Sequence, residues 1–322
     1  MTDGWQLNKG VNMATLKELS KRDELFSGGH RLCSGCGIPP IVRLVLRAAN
    51  GPVVATTATG CLEVGTTIYP YTAWRIPWIH SAFENAAATI SGIETAYKAF
   101  KKRGKIPQDK DIKFIAFGGD GGTYDIGLQA LSGALESGHN FLYVCYDNGA
   151  YMNTGIQRSG ATPFGAATTT SPAGDVIIGK QESRKDLTRI VVAHNISYAA
   201  QASPHNWADL SRKAEKAFKV SGPSFLNIIS PCPLGWYSKP EESIEAAKIA
   251  VDTCYWVLYE VENGVLKINY KPKEKKPIAE WLKMQARFKH LLKPENKELL
   301  DKLQGNIDKE WERLLSLDGK VI

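Results

Sequence analysis

The sequence predicts an α/β fold, a mainly parallel sheet with helices on both faces. Three observations predict it. Short runs of β-branched and aromatic residues alternate with stretches of helical spacing. Several of those runs end in loops carrying Gly, Asp or Cys, the usual pattern at the carboxyl edge of an open parallel sheet. Hydrophobic residues make up 43% of the 322, enough for a sizeable core.

Each element has its own signal. Residues 39–49 read as a helix opened by prolines, with Ile41, Leu44, Val45 and Leu46 on its apolar face. Val53-Val54-Ala55 reads as a strand running into Thr57-Ala58-Thr59-Gly60-Cys61. Residues 85–102 are Ala-rich with helical spacing, and 113–117 form a buried-type strand ending at Gly118-Gly119-Asp120-Gly121-Gly122. A helix over 125–137 is expected to start from an Asp125 cap. The strand 141–146 then ends at Asp147-Asn148-Gly149. Residues 152–183, rich in Gly, Thr, Ser and Pro, have no periodicity and read as an ordered active-site loop. A helix (187–194), a strand (197–200), a helix (207–219) and a strand (224–230) follow, the last running into Pro231-Cys232-Pro233. Beyond residue 250, 256–261 and 265–270 read as a hairpin around Asn263-Gly264. A charged linker (271–276) leads to amphipathic helices at 278–292 and 299–315, the second interrupted at Gly305. This divides the chain into an N-terminal extension (1–28), an α/β domain (29–250) and a C-terminal hairpin with a helical tail (251–322). Met13 is an alternative start, which would make residues 1–12 dispensable.

Charge and composition exclude several classes. The net charge of +7 is spread out, without the aromatic-laced basic stripe of a nucleic-acid protein. No apolar run reaches the roughly 18–20 residues a bilayer requires, and the N-terminus lacks a secretory pattern. Six cysteines in so long a chain are too few for a secreted disulfide scaffold, so a cytoplasmic setting is expected. Cys145 and Cys254 sit in apolar runs and read as small buried residues.

The other four cysteines read as ligands. Cys33-Ser34-Gly35-Cys36 places two sulfurs close enough to chelate one centre, and Cys61 and Cys232 both follow predicted strands. Four thiolates suit zinc or a [4Fe–4S] cluster. Zinc more often takes two Cys-x-x-Cys pairs, and only one is present.

Gly119-Asp120-Gly121-Gly122 follows a strand and precedes a helix, so its backbone N–H groups can approach phosphate oxygens. Asp120 is placed to bind Mg²⁺ shared with those phosphates, and Mg²⁺ needs further oxygen ligands. Asn148, 28 residues on and at the end of the next strand, can supply one, and the Ala150 carbonyl another. With that Asn the pattern points to thiamine diphosphate. It matches neither the P-loop nor the Rossmann fingerprint.

Thr59-Gly60-Cys61, Ile79-His80-Ser81-Ala82-Phe83-Glu84-Asn85, Gly118 to Gly122 and Tyr151-Met152-Asn153-Thr154-Gly155 together resemble the β subunit of 2-oxoacid:ferredoxin oxidoreductases, most closely the pyruvate synthase type with separate subunits. The resemblance runs from about Gly29 to Leu292. It implies a thiamine-diphosphate-binding fold with a [4Fe–4S] cluster on Cys33, Cys36, Cys61 and Cys232. It also implies Mg²⁺ on Asp120, Asn148 and the Ala150 carbonyl, with the diphosphate on Gly119, Asp120, Gly121 and Gly122. Asn153 would lie near the thiazolium and orient substrate, with Cys61 at both cofactors.

The implied reaction is oxidative decarboxylation of a 2-oxoacid, pyruvate first, with coenzyme A as acyl acceptor and ferredoxin as electron acceptor. Partner subunits of α, γ and δ type would complete the site, including the Glu that activates the aminopyrimidine. Arg158 is a weaker candidate for anion binding. His30 and His80 read as structural, with His80, Glu63 and Glu84 supporting the site. Two positions depart from the family. Ile38 stands where some relatives carry an acidic residue, and Gly149 where close relatives carry Glu. A missing carboxylate leaves room for a dianion such as oxalate. The rival readings are a non-redox thiamine decarboxylase or synthase, and a zinc-stapled scaffold subunit.

Overall fold

The structure, a computed structural model, describes residues 14–174 and 176–322. The alternative start at Met13 and the dispensable stretch 1–12 lie outside the described residues. Eight strands form one sheet: β1 (Val53–Ala58), β2 (Trp78–Ser81), β3 (Lys113–Gly119), β4 (Leu142–Asp147), β5 (Tyr198–Ala202), β6 (Ser224–Ile229), β7 (Tyr259–Glu262) and β8 (Val265–Ile268). Their order is β2-β1-β3-β4-β6-β5-β7-β8. The first six are parallel, whereas β7 and β8 are antiparallel additions at the β5 edge.

The centre of the parallel part is buried on both sides, which is why β3 and β4 read as nearly continuous apolar runs. Ile115 and Phe117 of β3 enter a core shared with helices Ile38–Ala48 and Trp207–Lys219. Phe114 and Ala116 point the other way, to helices Ala86–Lys102, Leu128–Glu136 and Leu187–Val192. The two faces follow from the two-residue period of a strand. Side-chain caps start two of these helices: Asn206 accepts from the Asp209 N–H at 3.1 Å, and Asp186 from that of Arg189 at 3.0 Å. Residues before 29 also reach the core. Phe26 is fully buried edge-on against Trp74, with ring centroids 5.1 Å apart.

The expected hairpin is present and extends the main sheet. Its turn residues, Asn263 (φ 50°) and Gly264 (φ 80°), take the left-handed conformation of a tight two-residue turn. Beyond it, helices Ser243–Asp252 and Lys297–Leu317 build a third core with β7 and β8.

Three expectations are corrected, and one strand was not foreseen. Asp125 caps no helix. The chain after β3 makes a wide π-type turn, Gly121–Asp125, and the α-helix begins at Leu128. Asp125 is diverted to the Gly160 N–H (2.7 Å) and Lys185 Nζ (2.6 Å). The helix expected over 278–292 is broken after Leu282. Gln285 is extended (φ −137°, ψ 113°), and Arg287 is buried in a short 3₁₀ turn. Burying those polar groups takes the backbone out of helical register, because Gln285 Oε1 must accept from Arg287 Nε (2.9 Å). The last helix is not interrupted at Gly305; it runs unbroken, anchored by buried Leu303, Ile307 and Leu314. Strand β2 escaped sequence reading because it is short and half-exposed, with few apolar residues turned inward.

Nothing lies within 4 Å of where a Cβ at Gly305 would stand. Gly305→Ala should therefore stabilise the protein by about 0.5–1 kcal/mol, the helix-propensity difference. A rise in the thermal midpoint checks this, and a fall would mean that the helix surface at Gly305 is packed.

Candidate active site

Four adjacent parallel strands, β1, β3, β4 and β6, end on the same edge of the sheet. β1 leads to Gly60-Cys61, β3 to Asp120, β4 to Asn148, and β6 to Pro231-Cys232. After β1 the chain turns to β2 on one side, and after β3 it turns to β4 on the other. That divergence opens a crevice between β1 and β3, the position where open α/β sheets bind ligands.

A cleft occupies this position. Its walls include Cys61, Gly119, Asp120, Gly121, Gly122, Asn148, Ala150 and Asn153, together with Phe83 and Tyr151. Phe83 and Tyr151 stack with centroids 5.5 Å apart. Gly121 is needed for close approach, since a Cβ there would come within 2.4 Å of the Tyr151 ring.

Asp120 is 1% exposed and has no cationic partner among the described residues. Its Oδ1 accepts from the Asn148 N–H (3.2 Å) and its Oδ2 from Ser159 Oγ (2.5 Å). Burial pushes its carboxyl well above the usual range, and the nearby Asp147 carboxylate adds to this. Asp147 is in a different position. It is neutralised by Arg184 Nη2 at 2.7 Å and accepts from Tyr124 Oη at 2.6 Å.

One terminal atom of the Asn148 amide lies 2.9 Å from Asp120 Oδ1 and 2.9 Å from the Ala150 carbonyl oxygen. With nitrogen there, the amide donates to both. With oxygen there, three oxygens face one another, and a proton on Asp120 or a cation between them reconciles the contact. An octahedral Mg²⁺ with bonds of roughly 2.0–2.1 Å holds neighbouring oxygens about 3 Å apart. The donor set therefore fits that ion in both spacing and charge.

The four cysteines gather on one side of this cleft. The Cys36 N–H donates to the Cys33 carbonyl (3.1 Å), closing a turn, and the Gly37 N–H donates to the Pro231 carbonyl (2.9 Å), docking that turn beside Cys232. Cys232 Sγ accepts from the Gly235 N–H at 3.3 Å. Burial pushes the Cys36 thiol up to about 12, and the charges of Cys232, Cys61 and Cys33 push in the same direction. Cys61 is pushed up to about 11, first by burial and then by Cys232, while a hydrogen bond from the Asn153 side chain pulls it down. Cys33 is exposed at the rim. Among the described residues, no three His, Cys, Asp or Glu side chains close around a single metal ion. Cys145 and Cys254 are buried elsewhere.

Several flanking candidates stand apart from the cleft. Arg158 is half-exposed and pairs with Glu182 at 3.2 Å. His80 Nδ1 lies 3.8 Å from Glu63, and His30 stacks on Phe26; neither histidine lines the cleft, nor does Glu63 or Glu84. Sequence reasoning missed Ser159, Thr162 and Lys180, because the aperiodic stretch 152–183 gives no pattern that marks its buried positions. It also missed Trp236, whose Nε1 donates to the Asn148 carbonyl at 2.7 Å and ties the Cys232 segment to the β4 loop.

The family described as thiamine pyrophosphate enzyme, C-terminal TPP binding domain, matches residues 58–228, the stretch that contains the cleft. A pyruvate synthase subunit PorB from Thermotoga maritima is 54% identical over 314 residues, covering 96% of this chain and 97% of its own. PorB from Methanocaldococcus jannaschii is also 54% identical, covering 91% and 97%. A ketoisovalerate oxidoreductase subunit VorB from Pyrococcus furiosus is 46% identical, covering 92% and 94%. The fold resembles that of a 2-oxoglutarate:ferredoxin oxidoreductase from Magnetococcus marinus at 20% identity and a TM-score of 0.54, over 69% of this chain and 79% of that one. On the strength of the near full-length identity, the chain belongs to the β subunits of the 2-oxoacid:ferredoxin oxidoreductase family, of the pyruvate synthase type.

Proposed function

We propose that this chain binds thiamine diphosphate, Mg²⁺ and a [4Fe–4S] cluster within a cytoplasmic complex that oxidatively decarboxylates pyruvate, with coenzyme A as acyl acceptor and ferredoxin as electron acceptor. The observation that carries this reading is the buried, cation-less Asp120 facing Asn148 and Ala150 beside a four-cysteine group that shares Cys61 with the same cleft.

Asp120, Asn148 and the Ala150 carbonyl would hold Mg²⁺, and the Gly119 to Gly122 backbone the diphosphate. Bound there, thiamine diphosphate supplies the nucleophilic carbon and electron sink that 2-oxoacid decarboxylation requires. Cys33, Cys36, Cys61 and Cys232 would hold the cluster, a one-electron acceptor. The four thiols lie close enough to feel one another's charge, and four thiolates are the ligand set such a cluster takes.

The chain's own residues shape what can react. Asn153 stands on the cleft wall beside Cys61, with an amide able to orient a substrate carboxylate or developing oxyanion. The Phe83–Tyr151 stack presents an apolar wall that excludes water from one side. Subunits of α, γ and δ type would cover the open side and contribute the acid that activates the cofactor.

One observation favours a second substrate reading. Arg287 is buried with Nη1 unpartnered, and a side chain at Gly149 would begin 3.2 Å from it. No carboxylate answers that guanidinium at position 149, so the β4 loop is more favourable to anions, and a dianion such as oxalate becomes a competitor to pyruvate.

Three outcomes test these readings. Asp120→Ala in the assembled complex should abolish Mg²⁺-dependent retention of thiamine diphosphate and turnover; a fully active variant complex would sink the thiamine assignment. Anaerobically purified complex should lose about four iron and four sulfide per copy of this chain in Cys232→Ala, whereas unchanged iron, or zinc in place of iron, would remove the cluster. On a panel of 2-oxoacids, ferredoxin reduction should be fastest with pyruvate. Faster turnover of oxalate would transfer the assignment to the dianion.

A further inference from the structure

Lys180 is a buried ammonium with no carboxylate in reach among the described residues. Its Nζ instead donates to three backbone carbonyls of one short segment: Ser159 (3.3 Å), Gly160 (3.2 Å) and Thr162 (2.7 Å). An ammonium has three protons to donate, and each has a carbonyl. Burying a cation without a counter-charge is costly, and burial pushes this ammonium down to about 8. A loop could be tied down more cheaply by neutral groups. The position of the clamped segment gives the charge a use.

Segment 159–162 grips the candidate cation site at two points. Ser159 Oγ donates to Asp120 Oδ2 at 2.5 Å. Thr162 Oγ1 donates to the Gly149 carbonyl at 2.8 Å, on the backbone between Asn148 and Ala150. The two residues are linked: the Ser159 N–H donates to Thr162 Oγ1 at 2.8 Å, and the two hydroxyl oxygens lie 3.4 Å apart. Lys180 is itself anchored: its N–H donates to the Ala166 carbonyl (3.1 Å), and its carbonyl accepts from the Gly165 N–H (2.7 Å).

We propose that Lys180 is a positioning residue for the Mg²⁺ and diphosphate site. By gathering three carbonyls onto one ammonium, it holds the 159–162 turn in the shape that aims Ser159 at Asp120 and Thr162 at the Asn148–Ala150 loop. The inference rests on the Mg²⁺–thiamine diphosphate reading given above. It assigns no proton transfer to Lys180, which acts through the two hydroxyls.

The test uses the assembled complex stripped of Mg²⁺ and thiamine diphosphate. Retention of thiamine diphosphate is followed by equilibrium dialysis as Mg²⁺ is added back. Lys180→Met should require about tenfold more Mg²⁺, in the range lost when an outer partner of a metal ligand is removed. Ser159→Ala should give a similar shift, and the double variant should be far less than additive, because both changes cut one chain of contacts. Lys180→Arg should recover most of the affinity. Each variant complex should keep the wild-type subunit stoichiometry and thermal midpoint, which separates positioning from general damage. Dialysis curves that superimpose on wild type, or fully additive effects in the double variant, overturn the inference. Where Lys180→Met does not assemble, Lys180→Gln, which keeps an amide donor, takes its place under the same criteria. A wild-type complex that retains no thiamine diphosphate at any Mg²⁺ concentration overturns the underlying reading instead.

Discussion

The site is organised around a carboxylate that the protein buries and does not neutralise. Asp147, at the end of the neighbouring strand, has Arg184 at 2.7 Å. Asp120 has only a hydroxyl and an N–H. In the proposed assignment, two buried acids at the ends of adjacent strands, one paired and one not, leave Asp120 for a cation from outside. Much of the local architecture serves that asymmetry. The π-type turn after Asp120 widens the backbone, Asp125 is drawn off to Lys185, and the aperiodic loop folds back so that Ser159 meets the second carboxylate oxygen.

The sheet and most of its helices were legible in the sequence because their signals are local. Strand periodicity, a continuous apolar run in β4 and the Asn263-Gly264 turn each show within a few residues. The same holds for Gly119-Asp120-Gly121-Gly122 and for Asn148, since each sits at the end of an identifiable strand. What escaped reading depends on partners distant in sequence. Ser159 looks like any serine of a polar loop until it is seen 39 positions away from the aspartate it contacts. The helix expected over 278–292 has a sound amphipathic pattern. It breaks because Arg287 is buried among Trp236, Trp281 and Phe288, a cation cage no periodicity reveals. Gly305 is the opposite case: a weak helix former that suggests an interruption stays helical because buried Leu303 and Ile307 hold the turn in place.

Family membership constrains the chemistry more tightly than the substrate. PorB relatives at 54% identity and a VorB relative at 46% carry different substrate names over almost the same span. In this chain Gly149 leaves Arg287 facing the space that a longer side chain would fill. A guanidinium in low dielectric acts over a longer distance than one in water, so its influence on a nearby anion does not require contact.

In the proposed assignment, the two cofactor sites are joined by the covalent chain and by one hydrogen-bonded tie, so they cannot shift independently. Cys61 opens the helix that follows β1 and lines the cleft, while its thiol senses Cys232. Trp236, one turn after Cys232, donates to the carbonyl of Asn148, whose side chain faces Asp120. A displacement of the cysteine group is thereby transmitted to the oxygen face, and the reverse holds as well. For a reaction that hands electrons from an organic centre to an inorganic one, fixed spacing between the two is what such a frame supplies. The sheet edge provides it because β1, β3, β4 and β6 are hydrogen-bonded neighbours whose register leaves their end loops no freedom to slide.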